Sequence, residues 1–210
     1  MLITAHHALS NLAGGTLLLE IPERFHGLNL NRDVLATNDQ IDAAVILLPD
    51  TAFDWDIEFL NLDMQAEPPT RDRPQMFVAM GFPWRETLVD YKARTLSLKT
   101  VNYWTIEKMD AYRLLHLSRD HFLLTNFDKE KALRGGVRRG MKAPHGMSGG
   151  ALWRVWGFDG GTSSGIGLAG ILTEYRTTPT KCMVSARVEV VQTMIEELLN
   201  RTTSGPSGHA

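Results

Sequence analysis

Cysteine is almost absent from this chain, because only one of its 210 residues, Cys182, is a cysteine. A single cysteine cannot form a disulfide within the chain, so folding does not depend on one, and a reducing compartment such as the cytoplasm is the simplest expectation. Cys182 lies beside a lysine in the strand-like run KCMVSA (181–186). This setting favours a buried packing residue over a catalytic thiol.

An excess of charge of one sign is also missing. The chain has 22 Lys and Arg residues against 24 Asp and Glu residues, for a formal net charge of -2, which argues against a nucleic-acid or anionic-membrane surface. Its apolar runs are far shorter than the ~20 residues that span a bilayer. The start MLITAHHALS has no basic segment typical of a signal peptide. Four histidines show no metal-ligand spacing with cysteine or carboxylates, so we expect no metal and no cofactor: His26, His116, His121 and His145.

Short apolar segments bounded by turn residues dominate the chain, which is typical of β-strands. The glycine-rich GFDGGTSSGIG (157–167) lacks the spacing of a phosphate-binding loop, so it is interpreted as the turn of a hairpin. The predicted strands are TLLLEI (16–21), AAVILL (43–48), MFVAMG (76–81), ARTLSLKTVNYW (93–104), ALWRVW (151–156) and LAGILTEY (168–175).

Composition divides the chain into two halves. Residues 61–75 are polar, with three prolines, and predict a linker between an N-terminal half (1–60) and a C-terminal half (76–200). The segment ARVEVVQTMIEELLN (186–200) predicts a helix with Ser185 as its N-cap, and residues 201–210 predict a disordered tail. An apolar stripe recurs along this helix at helical spacing: Val188, Val191, Ile195 and Leu198. Many short strands and one terminal helix predict an all-β barrel or sandwich pair.

The segment APHGMSGGALWRV (143–155) places Ser148 between glycines. A G-x-S-x-G pattern is found in the nucleophile elbow of α/β-hydrolases, but those enzymes carry their histidine after the serine. Downstream of Ser148 the only histidine is His209, in the predicted tail, and the alternation of strands and helices is also missing. Two interpretations of Ser148 remain, an ordinary tight-turn serine and a nucleophile in a G-x-S-G-G turn.

Four segments, in order, resemble trypsin-like serine peptidases, most closely the cysteine-poor bacterial branch: ITAHHAL (3–9), IDAAVILL (41–48), GMSGGAL (146–152) and LAGILTEY (168–175). The resemblance implies a two-lobed antiparallel β-barrel. The T-A-x-H spacing aligns His7, rather than His6, with the catalytic base. Asp42 follows His7 by 35 residues and Ser148 follows Asp42 by 106, and these gaps are similar to those of the family.

The resemblance also implies a role for each matching residue. His7 would be the general base, Asp42 would orient it, and Ser148 would attack the scissile carbonyl. The backbone N–H groups of Gly146 and Ser148 would bind the oxyanion. The implied substrate-binding residues are Leu172, Thr173, Glu174, Tyr175 and, at the base of the specificity pocket, Lys142, which would favour an acidic side chain.

The chain departs from the family pattern at two places. His7 lies almost at the first residue, which predicts an incomplete first barrel, and Met147 replaces an aspartate that pairs with a freed N-terminus in trypsins. Two functions therefore stay open, a serine endopeptidase acting on peptide or protein substrates and an inactive or truncated peptidase-like domain that binds peptides. An esterase on another fold is disfavoured by the order of the residues.

Overall fold

The computed structural model describes residues 1–10, 16–21, 24–54, 60, 75–83, 88–90, 92, 95–97, 99–128, 133–134, 137–138, 143–157 and 165–203. The strands are β1 (Leu2–Ala5), β2 (Thr16–Ile21), β3 (Arg24–Asn29), β4 (Val34–Asn38), β5 (Ala43–Ile46), β6 (Met76–Gly81), β7 (Leu88–Asp90), β8 (Thr95–Ser97), β9 (Val101–Thr105), β10 (Phe122–Asn126), β11 (Leu133–Arg134), β12 (Val137–Arg138), β13 (Ala151–Trp156), β14 (Gly165–Arg176) and β15 (Cys182–Arg187). The α-helices are α1 (His6–Ser10), α2 (Leu30–Asp33), α3 (Met109–Leu115) and α4 (Val188–Thr203), and a 3-10 helix spans Asp50–Asp54.

Two sheets organise these elements. The N-terminal half forms a three-stranded sheet in the order β1-β5-β4, and the C-terminal half forms a six-stranded sheet in the order β10-β15-β14-β13-β6-β9. Three two-stranded hairpins complete the described part: β2-β3, β7-β8 and β11-β12. Each strand pair that the structure describes is antiparallel. The prediction of an all-β, barrel-like fold with a C-terminal helix is confirmed.

The six-stranded sheet is covered on both faces, because successive side chains of a strand point to opposite sides. On β14 a β-bulge opposite Leu152 and Trp153 shifts this alternation by one residue. On β14, Leu168 and Ile171 pack with α3 and α4, whereas Ala169 and Leu172 pack with Phe77 on the other face. The cluster against α4 also contains Ile41 and Ala43 of the N-terminal half, so the two sheets share part of one core.

The C-terminal helix begins later than the sequence predicts. Ser185 is completely buried in β15, opposite Leu172 and Leu123, and is not an N-cap. The Arg187 N–H still donates to the His121 carbonyl at 2.9 Å, so strand pairing delays the helix to Val188. The predicted stripe does face the core, with Val188 and Val191 buried and Ile195 packed against them. Among the described residues, α4 is the longest helix, and none has the length and apolar character needed to cross a bilayer.

Other boundaries differ in detail. Strand β5 ends at Ile46 rather than at residue 48, and the single strand predicted for 93–104 is replaced by β8 and β9. The sequence does not predict helix α3, because seven residues are too few to show a clear helical period of apolar residues. Burial of Ala111, Tyr112 and Leu115 stabilises this helix. The predicted linker lies outside the described residues except for Gln75, as does the tail beyond Thr203.

Candidate active site

His7 and Asp42 meet because their strands are paired. Strands β1 and β5 are antiparallel with Ala5 opposite Ala43, so the residues after β1 lie beside the residue before β5. The backbone N–H of His7 donates to Asp42 Oδ1 at 2.8 Å, and the ring atom Nδ1 lies 2.6 Å from Asp42 Oδ2. The carbonyl of the same aspartate accepts the N–H of His6 at 3.1 Å. One residue therefore holds both the backbone and the imidazole of His7.

This contact also sets the tautomer of His7. A carboxylate can only accept, so the neutral ring carries its proton on Nδ1 and leaves Nε2 as the acceptor nitrogen. Half of the His7 side chain is exposed, against 29% for Asp42. Asp42 thus orients the ring from its Nδ1 side, and part of the ring stays exposed to solvent.

The neighbouring histidine forms a second pair with a different aspartate. His6 Nδ1 lies 2.7 Å from Asp39 Oδ1. Among the described residues, His7 lines the cleft beside Ser148, whereas His6 does not. The His7 side chain therefore lies at the cleft beside Ser148, whereas the His6 side chain is paired with Asp39 and is not part of the cleft lining.

Ser148 follows a tight turn formed by residues 144–147. The Met147 N–H donates to the Pro144 carbonyl at 3.1 Å, and Gly146, the third residue, has a φ of 90°. An i to i+3 hydrogen bond with positive φ at the third position is typical of a type II turn. A type I turn would rotate the peptide between His145 and Gly146 by about half a turn, so the type II form determines where the Gly146 N–H points.

Glycine at position 149 lets this turn lie directly against strand β1. Gly149 has a φ of 85°, and an added Cβ would collide with Oγ1 of Thr4. The Gly149 N–H donates to the Leu172 carbonyl at 2.7 Å, and the Leu172 N–H donates to the Gly150 carbonyl at 2.8 Å. The serine segment is therefore bonded to β14 and packed on β1, the strand that leads to His7.

The hydroxyl of Ser148 donates to the Thr173 carbonyl at 3.0 Å. A hydroxyl carries a single proton, so donation to His7 Nε2 requires this bond to be given up. Thr173 itself is buried, and its Oγ1 donates to the Val184 carbonyl at 3.2 Å rather than to Asp42. The structure thus holds the serine side chain against β14 in its resting position.

A cleft of about 610 Å³ brings the predicted residues together. It is lined by seven of them: His7, Asp42, Gly146, Ser148, Thr173, Glu174 and Tyr175. Leu172 lines a smaller recess that adjoins the cleft at Ser148. Lys142, the remaining predicted substrate-binding residue, lies outside the described residues.

Several cleft residues carried no signal in the sequence. Arg176 lines the cleft and its Nε donates to Glu174 Oε2 at 2.7 Å, which places an ion pair at the exposed rim. His145 lies edge-on to Tyr175, with 6.3 Å between ring centroids. Consecutive β14 residues from Thr173 to Arg176 line the cleft. Their position there depends on the pairing of distant strands, which a local sequence pattern does not reveal.

Cys182 is fully buried in the core between the sheet and α4, which confirms the packing role predicted for it. Burial raises the pKa of its thiol to about 11. The nucleophilic thiolate is therefore scarce at neutral pH. Within the described ranges, no three His, Cys or carboxylate side chains are arranged to hold a metal ion.

Comparison with known proteins identifies a similar fold but does not assign the chain to a family. No family model matches the chain, and no curated protein matches it either. Among solved structures, the serine endoprotease from Yersinia pestis matches with a TM-score of 0.54 and 16% identity over 94% of this chain. The present chain spans 53% of the length of that protein. At this identity the likeness concerns architecture alone: the chain has a barrel-like β fold similar to that of a serine endoprotease.

Proposed function

We propose that this protein is a trypsin-like serine endopeptidase. The observation that carries the proposal is the cleft that Ser148 and the bonded pair His7–Asp42 line together, although they come from three distant segments of the chain. An imidazole oriented by a carboxylate, beside a serine that follows a glycine turn, is the arrangement used for acyl transfer. The similarity of the fold to a serine endoprotease supports the same conclusion.

The first step is attack by Ser148 on the substrate carbonyl. Nε2 of His7 takes the hydroxyl proton as Oγ bonds to the carbonyl carbon, and Asp42 stabilises the imidazolium through Nδ1. The hydrogen bond from Ser148 to the Thr173 carbonyl is broken in this step. That carbonyl then becomes free to accept an N–H of the substrate backbone.

The second requirement is a place for the negative oxygen of the tetrahedral intermediate. The N–H groups of Gly146 and Ser148 supply it, with the type II turn directing the first of them. The intermediate collapses as the C–N bond breaks and the leaving amine takes the proton from His7. The resulting acyl-enzyme is then hydrolysed by a water molecule that His7 deprotonates.

Substrate binding is proposed to extend strand β14. Beyond Leu172 the described ladder on the β13 side ends, because Ala151, the first residue of β13, pairs with Ile171. An extended peptide can add to such an edge through backbone hydrogen bonds. The N–H and carbonyl of Leu172 are already bonded to Gly150 and Gly149. The edge from Thr173 to Tyr175, which runs past Ser148, is therefore the proposed site of the substrate on the acyl side.

Labelling with a fluorophosphonate probe tests the proposal. The parent protein should react, Ser148→Ala should not, and His7→Ala and Asp42→Asn should each react at least roughly 10³-fold more slowly. Ser118→Ala and His6→Ala are the matched controls, because Ser118 is exposed and bonded to Asp120 and the His6 ring pairs with Asp39. Both controls should label within about twofold of the parent.

Cleavage of an unfolded protein by the parent, lost in Ser148→Ala, would establish endopeptidase activity. If the folded parent neither reacts with the probe nor cleaves protein, the enzyme proposal is wrong. Binding of peptides by Ser148→Ala with unchanged affinity would then identify a peptide-binding domain instead.

A further inference from the structure

A small recess opens beside Ser148, and its walls suggest which substrates the site accepts. One wall is formed by Pro144, Met147 and Ser148, and the other by Leu172, Glu174 and Tyr175 of β14. Met183 of β15 completes it. Met147 and Met183 are only 4% and 2% exposed, so they form the closed end, whereas exposed Glu174 lies at the mouth.

Strand pairing places Met183 in this position. Met183 and Tyr175 are directly opposite each other in the β14–β15 ladder, so their side chains share one face of the sheet. Met183 belongs to the core cluster on that face, which also contains Phe127 and Leu123, and Tyr175 packs against this cluster. Neither methionine can swing away without opening a cavity among these side chains.

The recess is very small. The space open to a water molecule is about 20 Å³, and one water needs roughly 10–15 Å³ measured in this way. A methyl group is close to a water molecule in size. The recess therefore admits a hydrogen, a methyl or a hydroxymethyl group, but not a branched or aromatic side chain.

The position of the recess identifies the substrate residue that enters it. A carbonyl carbon under attack must lie about 3–3.5 Å from Ser148 Oγ. The Cβ of the residue that carries this carbonyl is two bonds farther along, so it lies within a few ångströms of the serine. The β14 wall is also the edge on which the acyl side of the substrate is proposed to pair.

We propose that this protein cleaves after glycine, alanine or serine, and that Met183 sets this limit. The inference rests on the proposed peptidase function. It differs from the acidic preference expected from Lys142, because the described walls of the recess are mainly apolar and the space between them is too small for a carboxylate side chain.

Matched peptides that differ only in the residue before the cleaved bond test this specificity. For the parent, kcat/KM should be at least tenfold higher for alanine than for leucine or phenylalanine, because one methylene in a closed pocket changes rates by roughly 10–200-fold. Mass spectrometry of the new termini in a digested unfolded protein gives the same preference without a designed peptide.

Substitution of Met183 should enlarge the recess. Met183→Ala should raise kcat/KM for the leucine peptide relative to the alanine peptide at least tenfold, whereas Met183→Leu, of similar volume, should keep the parent preference. Met194→Ala, in helix α4, is the control for loss of a methionine elsewhere. If Met183→Ala does not fold, the parent's peptide preference and the Met183→Leu variant still test the proposal.

The outcomes separate the two proposals. Ser148-dependent cleavage in which leucine or phenylalanine peptides react as fast as the alanine peptide overturns the specificity and leaves the peptidase function standing. An unchanged preference in folded Met183→Ala overturns the role of Met183. Absence of probe labelling and of protein cleavage in the parent overturns the peptidase function, and the specificity with it.

Discussion

Asp42 makes more contacts with the segment that contains His7 than its place in the proposed triad requires. Its carboxylate binds the backbone and the ring of His7, and its carbonyl binds the backbone of His6. Asp42 has a φ of 53°, in the left-handed region that aspartate tolerates better than most residues. This conformation lets its carbonyl and its side chain both face the end of β1. Glutamate at this position would lose that arrangement although it keeps the charge.

The buried thiol of Cys182 predicts a pH dependence of stability. The native thiol, with its pKa raised to about 11, keeps its proton at pH values where the unfolded thiol, with a pKa of ~8.5, loses it. The native state then binds more protons, so stability falls as pH rises through this window. Between pH 8 and pH 10 this group should lower the free energy of unfolding by about 2 kcal/mol.

Urea unfolding at both pH values measures this effect, with Cys182→Ala as the comparison. The pKa of Tyr112 and that of Tyr175 are also raised by burial. The two tyrosines affect the pH dependence of the parent and of Cys182→Ala equally, so their contribution cancels when the two pH dependences are subtracted. Equal pH slopes for the parent and Cys182→Ala would contradict the prediction.

The turn over residues 144–147 shows how one local element prepares the proposed oxyanion site. Met147 anchors it, because its side chain is 4% exposed and packs in the core of the six-stranded sheet. Because this side chain is apolar, burial rather than a charge pair anchors the turn.

Gly146→Ala should disturb this turn. A side chain at a φ of 90° is strained by roughly 1–2 kcal/mol, which favours rotation of the peptide away from the type II form. The Gly146 N–H would then leave the cleft, and the fluorophosphonate labelling rate should fall roughly 10²–10³-fold.

Gly157→Ala is the matched control for backbone strain. Gly157 has a φ of 67° and follows β13 without lining the cleft. The two variants should lose similar thermal stability, but only Gly146→Ala should lose labelling. Parent-like labelling by folded Gly146→Ala would show that this N–H is not needed.

The contact between the serine segment and β1 joins the two sheets at the proposed site. Gly149→Ala should push the Ser148 segment away from Thr4 and so from the strand that leads to His7. We expect the labelling rate to fall more than roughly tenfold, since small displacements of reacting groups are costly.

A double-mutant cycle tests whether this contact is the cause. Thr4→Ala alone should label like the parent, and Thr4→Ala combined with Gly149→Ala should recover part of the lost rate, because Oγ1 of Thr4 is the nearest atom to the added Cβ. A coupling of at least about 1 kcal/mol is expected for residues in contact. Simple additivity would mean that Gly149 acts through its backbone conformation alone.

Local pattern was sufficient for several features of this fold. The strands β2, β6 and β13 and the apolar face of α4 follow from residues close together in the chain, since periodicity records which side chains are buried. The late start of α4 does not follow from the local sequence, because Ser185 is held in the sheet by partners more than ten residues away.

The candidate site divides in the same way. Spacing and resemblance were enough to select His7, Asp42 and Ser148, because each lies in a short segment of characteristic sequence. Nothing local to Met183 indicates that it closes the recess beside Ser148, nor does any local pattern show that Gly149 rests on Thr4. Those features arise from the pairing of β14 with β15 and the packing of β1 on the serine segment, and contacts between distant parts of a chain exist only once it has folded.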